Sequence, residues 1–286
     1  MGREILFSGD GSLRAVWRGA LFIAACVVAL LVASVAAASF HSAAAMFGLR
    51  VVVHPIVYPL GFLAAHYFVL RKVDHKEWSY VWLGRGAARP SKLAWGVVLG
   101  SLAVAIPAAL LLGTQQLQVV TAPDGGWWGT ALLAAVVLLP SAFAEELFAR
   151  GYILALIREA AGWKVALAAT SIGFGLLHIA NPGANWQSLS VVMLAGFFLG
   201  AIVLVTGSLY AATLAHFAWN WFIAAVLHMP VSGIPVAGSP DYRVVETGPD
   251  WLTGGSWGPE GGLAAAFGLS MGLIYLSWSA KRSNRA

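Results

Sequence analysis

The chain has 286 residues, 59% of them apolar and only 10% charged, with a formal net charge of +5 and a single cysteine. A soluble chain carries about 25% charged residues, so a soluble domain is excluded. Cys26, standing alone, rules out an intramolecular disulfide and a C-x-x-C metal site. The apolar residues come in long blocks of about 20 rather than in alternation, and in a bilayer such blocks are helices. The fold class is an all-α polytopic membrane protein.

In chain order the blocks predict eight spans, at about 19–40, 50–70, 94–113, 129–157, 164–181, 187–206, 209–228 and 262–280. The first has the basic flank and small-residue tail (Ala36-Ala37-Ala38-Ser39) of a secretory signal. Its length exceeds a signal's apolar core, and it reads as a retained signal anchor. With the N-terminus inside, fourteen of the seventeen basic residues fall on the inner side, and only Arg50 and Arg243 fall outside. The positive-inside rule then puts both termini in the cytoplasm, with the plasma (inner) membrane as the expected location. The basic balance is a topology signal, so nucleic acid is not an expected partner, whereas lipid is.

No internal repeat or long linker divides the chain, which reads as one integral membrane domain over 1–286. Its motif-bearing core is at about 129–228, followed by an outer loop, 229–261. The inner loop 71–93, basic and carrying Trp78 and Trp82, is expected along the inner interface. The outer loop holds five prolines, many glycines, Trp251 and Trp257. It could cap the bundle or gate lateral access, but the expectation is that it rests on the headgroups.

Chemistry is concentrated at the far side of the fourth span, in Glu145, Glu146 and Arg150. A charge at the centre of a membrane helix costs roughly 2.5–3.5 kcal/mol even on insertion scales, so intramembrane charges mark function or pairing. The fourth and fifth spans form a hairpin whose turn is 158–164. Glu145 precedes that turn by 13 residues and His178 follows it by 14. At 1.5 Å per residue both lie roughly 20 Å from the turn, so they share a depth and can touch. His216 and Asn220, four apart in the seventh span, share a helix face, and Trp219 and Trp221 are expected to wall the site. A hydrogen-bonded cluster that glues the bundle fits these residues as well as a reactive site does. Of the other histidines, His54 and His66 read as packing or backbone-bonded groups. His41, His75 and His228 sit at span ends or in a loop.

Spacing also divides the glutamates. Glu146 and Arg150 are i,i+4 with the acid first, the favourable order for a helical ion pair. Glu145 points about 140° away from Arg150 and remains the freer carboxylate. Burial, together with a hydrogen bond from His178, would tune it as a general base. Asn220 and His216 are donors suited to a developing oxyanion.

Glu145-Glu146-x-x-x-Arg150, Phe174-x-x-x-His178 and His216-x-x-x-Asn220, in that order on three spans, resemble the motifs of the CPBP (Abi) family. That family includes type II CAAX prenyl endopeptidases and bacteriocin-processing or self-immunity proteins. The resemblance covers about 129–222 and implies an eight-helix intramembrane endopeptidase acting on a membrane-associated protein or peptide, prenylated or not. It further implies that Glu145 and His178 activate a water while His216 and Asn220 stabilise the tetrahedral intermediate. Glu146, Arg150 and Phe174 take supporting places. No cofactor is expected to be required. The alternative is a zinc enzyme with Glu145, His178 and His216 as ligands. A non-catalytic scaffold or immunity protein is the reading outside enzymes.

Overall fold

The computed structural model describes residues 7, 13–46, 54–122, 125–236, 238 and 241–283. Among these residues eight long α-helices carry the fold. α1 spans Ala15–Met46, α2 His54–Phe68, α3 Pro90–Gly113, α4 Trp127–Glu146, α5 Ile153–Leu176, α6 Trp186–Thr206, α7 Leu209–Trp221 and α8 Leu263–Ser283. Three π-helical turns extend them: Val69–Val73 after α2, Leu147–Tyr152 after α4 and Phe222–Leu227 after α7. Such turns in a helix often mark functional sites, and the last two follow Glu146 and Asn220 closely. The fold class expected from the sequence is the one found.

Local chemistry sets the boundaries. Pro90 opens α3 at a position where no N–H is missed. The Asn185 side chain accepts from the Gln187 and Ser188 amides, forming a capping box at the start of α6. Gly207 ends that helix in the left-handed region (φ 60°), and the Ser208 hydroxyl caps α7.

Among the described residues six helical runs are long and apolar enough to cross a membrane, the longest being Trp127–Leu176. That run is not straight. Glu145 and His178 would stand about 50 Å apart along one helix, yet their side chains approach to 3.8 Å. The reversal falls at Gly162, whose φ of 82° and ψ of 166° are not helical, inside the expected turn 158–164. The fifth span ends earlier than expected, at Leu176 rather than 181, so His178 lies in the turn beyond the helix. Residues 47–53 of the expected second span lie outside the described residues.

α7 is the axis of the bundle, with α3 and α4 packed on it, while α5 packs on α6, and α8 on α3 and α6. Gly96 and Gly100 of α3 lie on Ala211 and Ala215 of α7, so close that a Cβ at Gly100 would stand 2.1 Å from the Ala215 carbonyl oxygen. Lipid tails are as apolar as leucine, so membrane helices associate through this close approach of small residues. Large apolar side chains such as Val27, Leu31, Leu132 and Ile274 point outward, as a lipid-facing surface requires.

At the basic end, Arg18 pairs with Asp74 (2.6 Å) and Glu159 (2.7 Å), and the Tyr152 hydroxyl donates to Asp74 (2.7 Å). Lys76 and Tyr80 also donate to Glu159, which ties α1, the 74–80 segment and the 158–162 turn together.

The opposite end holds an antiparallel ribbon, β1 (Leu117–Thr121) with β2 (Tyr242–Glu246), in the register Leu117↔Glu246 to Thr121↔Tyr242. The blocks of apolar sequence did not foretell it. The described part of 229–261 does more than lie on a surface: Trp257 is fully buried, and Thr253 and Glu260 are buried with it. Trp251 alone of its two tryptophans stays exposed. The physical reason lies in its glycines. Gly254 and Gly258 adopt φ of 106° and 96°, and a Cβ on Gly258 would meet the Pro230 carbonyl oxygen at 2.1 Å. The segment folds back on itself and caps the end of the bundle.

Candidate active site

α4 delivers Glu145 and Glu146 to opposite environments. The Glu146 side chain is fully buried, and its Oε1 accepts from Arg150 Nη1 at 3.0 Å, the ion pair its spacing predicted. The same oxygen lies 3.0 Å from His216 Nδ1. A carboxylate only accepts, so that ring nitrogen carries the proton. Sequence spacing did not reveal this second partner, because depth and facing along one helix say nothing about rotation toward a helix seventy residues away. Arg150, also fully buried, donates from Nη2 to the Gly196 carbonyl (3.2 Å) and lies 4.0 Å over the Phe174 ring.

The Glu145 side chain is 40% exposed and faces open space. Its Oε2 is 3.8 Å from His178 Nε2 and 3.9 Å from His216 Nε2. The depth argument thus placed Glu145 and His178 correctly. The expected hydrogen bond between them is not formed, because 3.8 Å exceeds hydrogen-bond reach. It is instead a separation that a bridging water or a substrate oxygen spans. His178 Nδ1 donates to the Phe174 carbonyl at 2.8 Å, which satisfies a carbonyl at the end of α5 and turns Nε2 toward Glu145. The Phe174 ring meets both imidazoles edge-on, at 4.9 Å for His178 and 5.9 Å for His216. This aromatic wedge sets both rings.

Asn220 lies one turn beyond His216, buried, and lines the same cavity as Glu145, His178, Asn181 and His216. That cavity, of about 380 Å³, is walled by α4, α7 and Val231–Val236. A second cavity, of about 550 Å³, opens between α1 and α2 on one side and α4 and α5 on the other. Its walls include Cys26, Leu30, Phe62 and Phe148, and Glu145 and His178 line both cavities. The carboxylate therefore stands where two largely apolar recesses meet. The volumes lie in the range of ligand sites, about 300–1,000 Å³. Ser141, one turn before Glu145, is no nucleophile here, since its hydroxyl donates to the Val137 carbonyl (2.9 Å).

The expected aromatic walls are half present. Trp219 lines a small cavity beside His216 and Asn220, but the Trp221 indole turns away to the Ala131 carbonyl (3.0 Å). Glu260, from the capping segment, reaches that same small cavity and is a site residue that the sequence reading did not nominate. No periodicity points to one acid in a Gly/Pro-rich stretch. His66 is backbone-bonded as expected: Nδ1 donates to the Phe62 carbonyl and Nε2 accepts from the Tyr152 amide (3.1 Å), beside the kink at Gly151. The side chain of His54 lies outside the described residues.

Zinc held tetrahedrally at about 2.0–2.1 Å sets its ligand atoms about 3.3 Å apart. The separations of 3.8 and 3.9 Å are wider, and among the described residues no three His, Cys, Asp or Glu side chains are grouped as a metal would hold them. The three side chains thus stand a little wider apart than zinc ligands do.

Neither the curated proteins nor the solved structures contain a match to the chain. A protein-family model does match: residues 127–222 fit "Rce1-like: Type II CAAX prenyl endopeptidase Rce1-like". That stretch holds all three motifs, and the match supports CAAX-type endopeptidase activity in the membrane in general terms. The resemblance to the CPBP (Abi) family drawn from Glu145-Glu146, Phe174-x-x-x-His178 and His216-x-x-x-Asn220 is therefore met by an independent match over the residues that carry it.

Proposed function

We propose that the protein is an intramembrane endopeptidase that hydrolyses a peptide bond of a membrane-associated protein or peptide, with water activated by Glu145 and no metal required. The observation that carries this reading is the convergence of Glu145 Oε2 on the Nε2 atoms of His178 and His216, both within 4 Å, at the meeting of two cavities. His178 donates through Nδ1 to a carbonyl, so its neutral ring offers the Nε2 lone pair to a water held against Glu145. Glu145 takes the water's proton as its oxygen attacks the scissile carbonyl, and returns the proton to the leaving amine.

The oxyanion needs donors, and Asn220 supplies its amide. His216 donates from Nε2 only as an imidazolium, since Nδ1–H is already engaged by Glu146. With His216 charged, Glu145, Glu146, Arg150 and His216 sum to zero, a balance suited to a site inside a bilayer. Such preorganised donors act where water is excluded, and removing one oxyanion donor costs about 10²–10³ in rate.

The apolar cavity beside Glu145 fits a substrate that carries a lipid-like group or a membrane segment, and a prenylated peptide is the first to try. The termini are assigned to the cytoplasm from the charge distribution. Purified protein, stripped of metal by a chelator, is expected to cleave a prenylated or transmembrane peptide at the rate of the untreated enzyme. Activity lost on chelation and restored by stoichiometric zinc would replace this mechanism with the metal-dependent one. An absence of cleavage across both substrate classes, with the Glu145→Ala variant still supporting the cellular phenotype, would leave a scaffold role.

A further inference from the structure

Glu260 is buried, yet among the described residues no cation pairs with it. Its Oε1 accepts from the Ser232 hydroxyl at 2.5 Å and its Oε2 from the Trp219 indole at 3.2 Å. Burying a carboxylate is costly unless its oxygens are satisfied, and here both oxygens are bonded to groups that line the candidate site. Trp219 precedes Asn220 on α7. Ser232 belongs to the Val231–Val236 wall, and its carbonyl accepts from Asn181 Nδ2 at 3.0 Å, three residues beyond His178.

One connector thus runs from the His178 end of α5 through Asn181, Ser232 and Glu260 to the His216–Asn220 face of α7. The backbone at its centre is over-determined. Ser232 holds φ of 49°, a left-handed conformation uncommon for a residue with a Cβ. Gly233 follows at φ 78°, where a Cβ would stand 2.0 Å from the Pro182 carbonyl oxygen, and its amide donates to the Trp257 carbonyl at 2.8 Å. Backbone held this way persists only when its surroundings fix it, and such strain clusters at functional sites.

We infer that Glu260 is a positioning residue: by latching Ser232 and Trp219 it fixes the Val231–Val236 wall and sets Asn220 and His216 against His178. The capping segment is then part of the site rather than a cover over it. This inference rests on the endopeptidase reading for its consequence in catalysis, but not for the latch itself.

The test uses the full-length protein in bilayer nanodiscs, with Glu260→Gln, Glu260→Asp, Ser232→Ala, Trp219→Phe and the Glu260→Gln/Ser232→Ala double variant. Amide hydrogen exchange reads the wall. In Glu260→Gln and in Ser232→Ala, exchange across 229–236 is expected to speed up about tenfold or more, with α3 and α8 unchanged. Cleavage reads the consequence: kcat falls at least about tenfold with KM held within about twofold, and Glu260→Asp recovers part of it. The double variant should lose no more than the worse single one, the mark of a shared interaction.

Unchanged exchange at 229–236 in Glu260→Gln and Ser232→Ala would overturn the latch. Faster exchange with kcat untouched, in a wild type that cleaves, would overturn the positioning role. If Glu260→Gln fails to fold, Ser232→Ala and Trp219→Phe decide the same question. If the wild type cleaves nothing, the endopeptidase reading fails, and the exchange data still decide the latch.

Discussion

Glu145 and Glu146 are consecutive, yet one is 40% exposed to a cavity and the other is fully buried between Arg150 and His216. The difference predicts opposite phenotypes for the same chemical change. Glu146→Gln leaves the Arg150 guanidinium buried without its counter-charge, and breaking a buried pair in this way typically costs about 3–5 kcal/mol. Its unfolding midpoint in detergent should fall well below wild type, whereas Glu145→Gln should unfold with the wild type. Equal midpoints for the two variants would mean that the ion pair does not hold the fold. Phe174 separates function from packing in a similar way. Phe174→Leu keeps most of the volume but loses the edge contacts that orient both imidazoles. Cleavage should drop about tenfold, with a smaller effect on stability, as read by kcat against the unfolding midpoint.

At the scale of elements, the position of His216 depends on how closely α3 approaches α7. Gly100→Ala would drive a Cβ to 2.1 Å from the Ala215 carbonyl oxygen, next to His216, and backbone cannot yield as a side-chain end does. Overpacking of this kind costs roughly 1–3 kcal/mol, and the displaced α7 should lower cleavage although Gly100 touches neither cavity. Gly113→Ala, with nothing within 4 Å of the added atom, is the matched control. Cleavage by Gly100→Ala at the control's rate would show that the helix contact does not govern the site.

These elements also show what the sequence carried. Block length gave the helices, and equal distance from one turn gave Glu145 and His178 the same depth. Helix spacing gave Glu146–Arg150, because i,i+4 pairing is local. Contacts that depend on rotation between distant helices, such as Glu146 with His216, have no local signature. The β1–β2 ribbon and Glu260 lie where tertiary contacts override weak propensity, in segments punctuated by proline and glycine.

For the whole molecule, the basic end acts as a clamp joining α1 to the hairpin that carries Glu145 and His178. Burial disfavours ionised Glu159, but hydrogen bonds from Arg18, Lys76 and Tyr80 outweigh it and hold its carboxyl at about 2, below the ordinary 4.5. The folded value is the lower one, so this contribution is complete above pH 4.5 and is lost as pH falls through 2. Unfolding midpoints measured from pH 6 down to 2 should fall more steeply in wild type than in Glu159→Gln. Parallel curves would remove Glu159 from the clamp.

The account as a whole turns on Glu145 as the base between the two histidines. The most direct measurement is the initial cleavage rate of a prenylated or transmembrane peptide by purified wild type and Glu145→Gln, each matched for unfolding midpoint. A general base contributes about 10²–10⁴ in rate, and the variant should lose that much while remaining folded. Cleavage by Glu145→Gln at the wild-type rate would contradict the account at its centre.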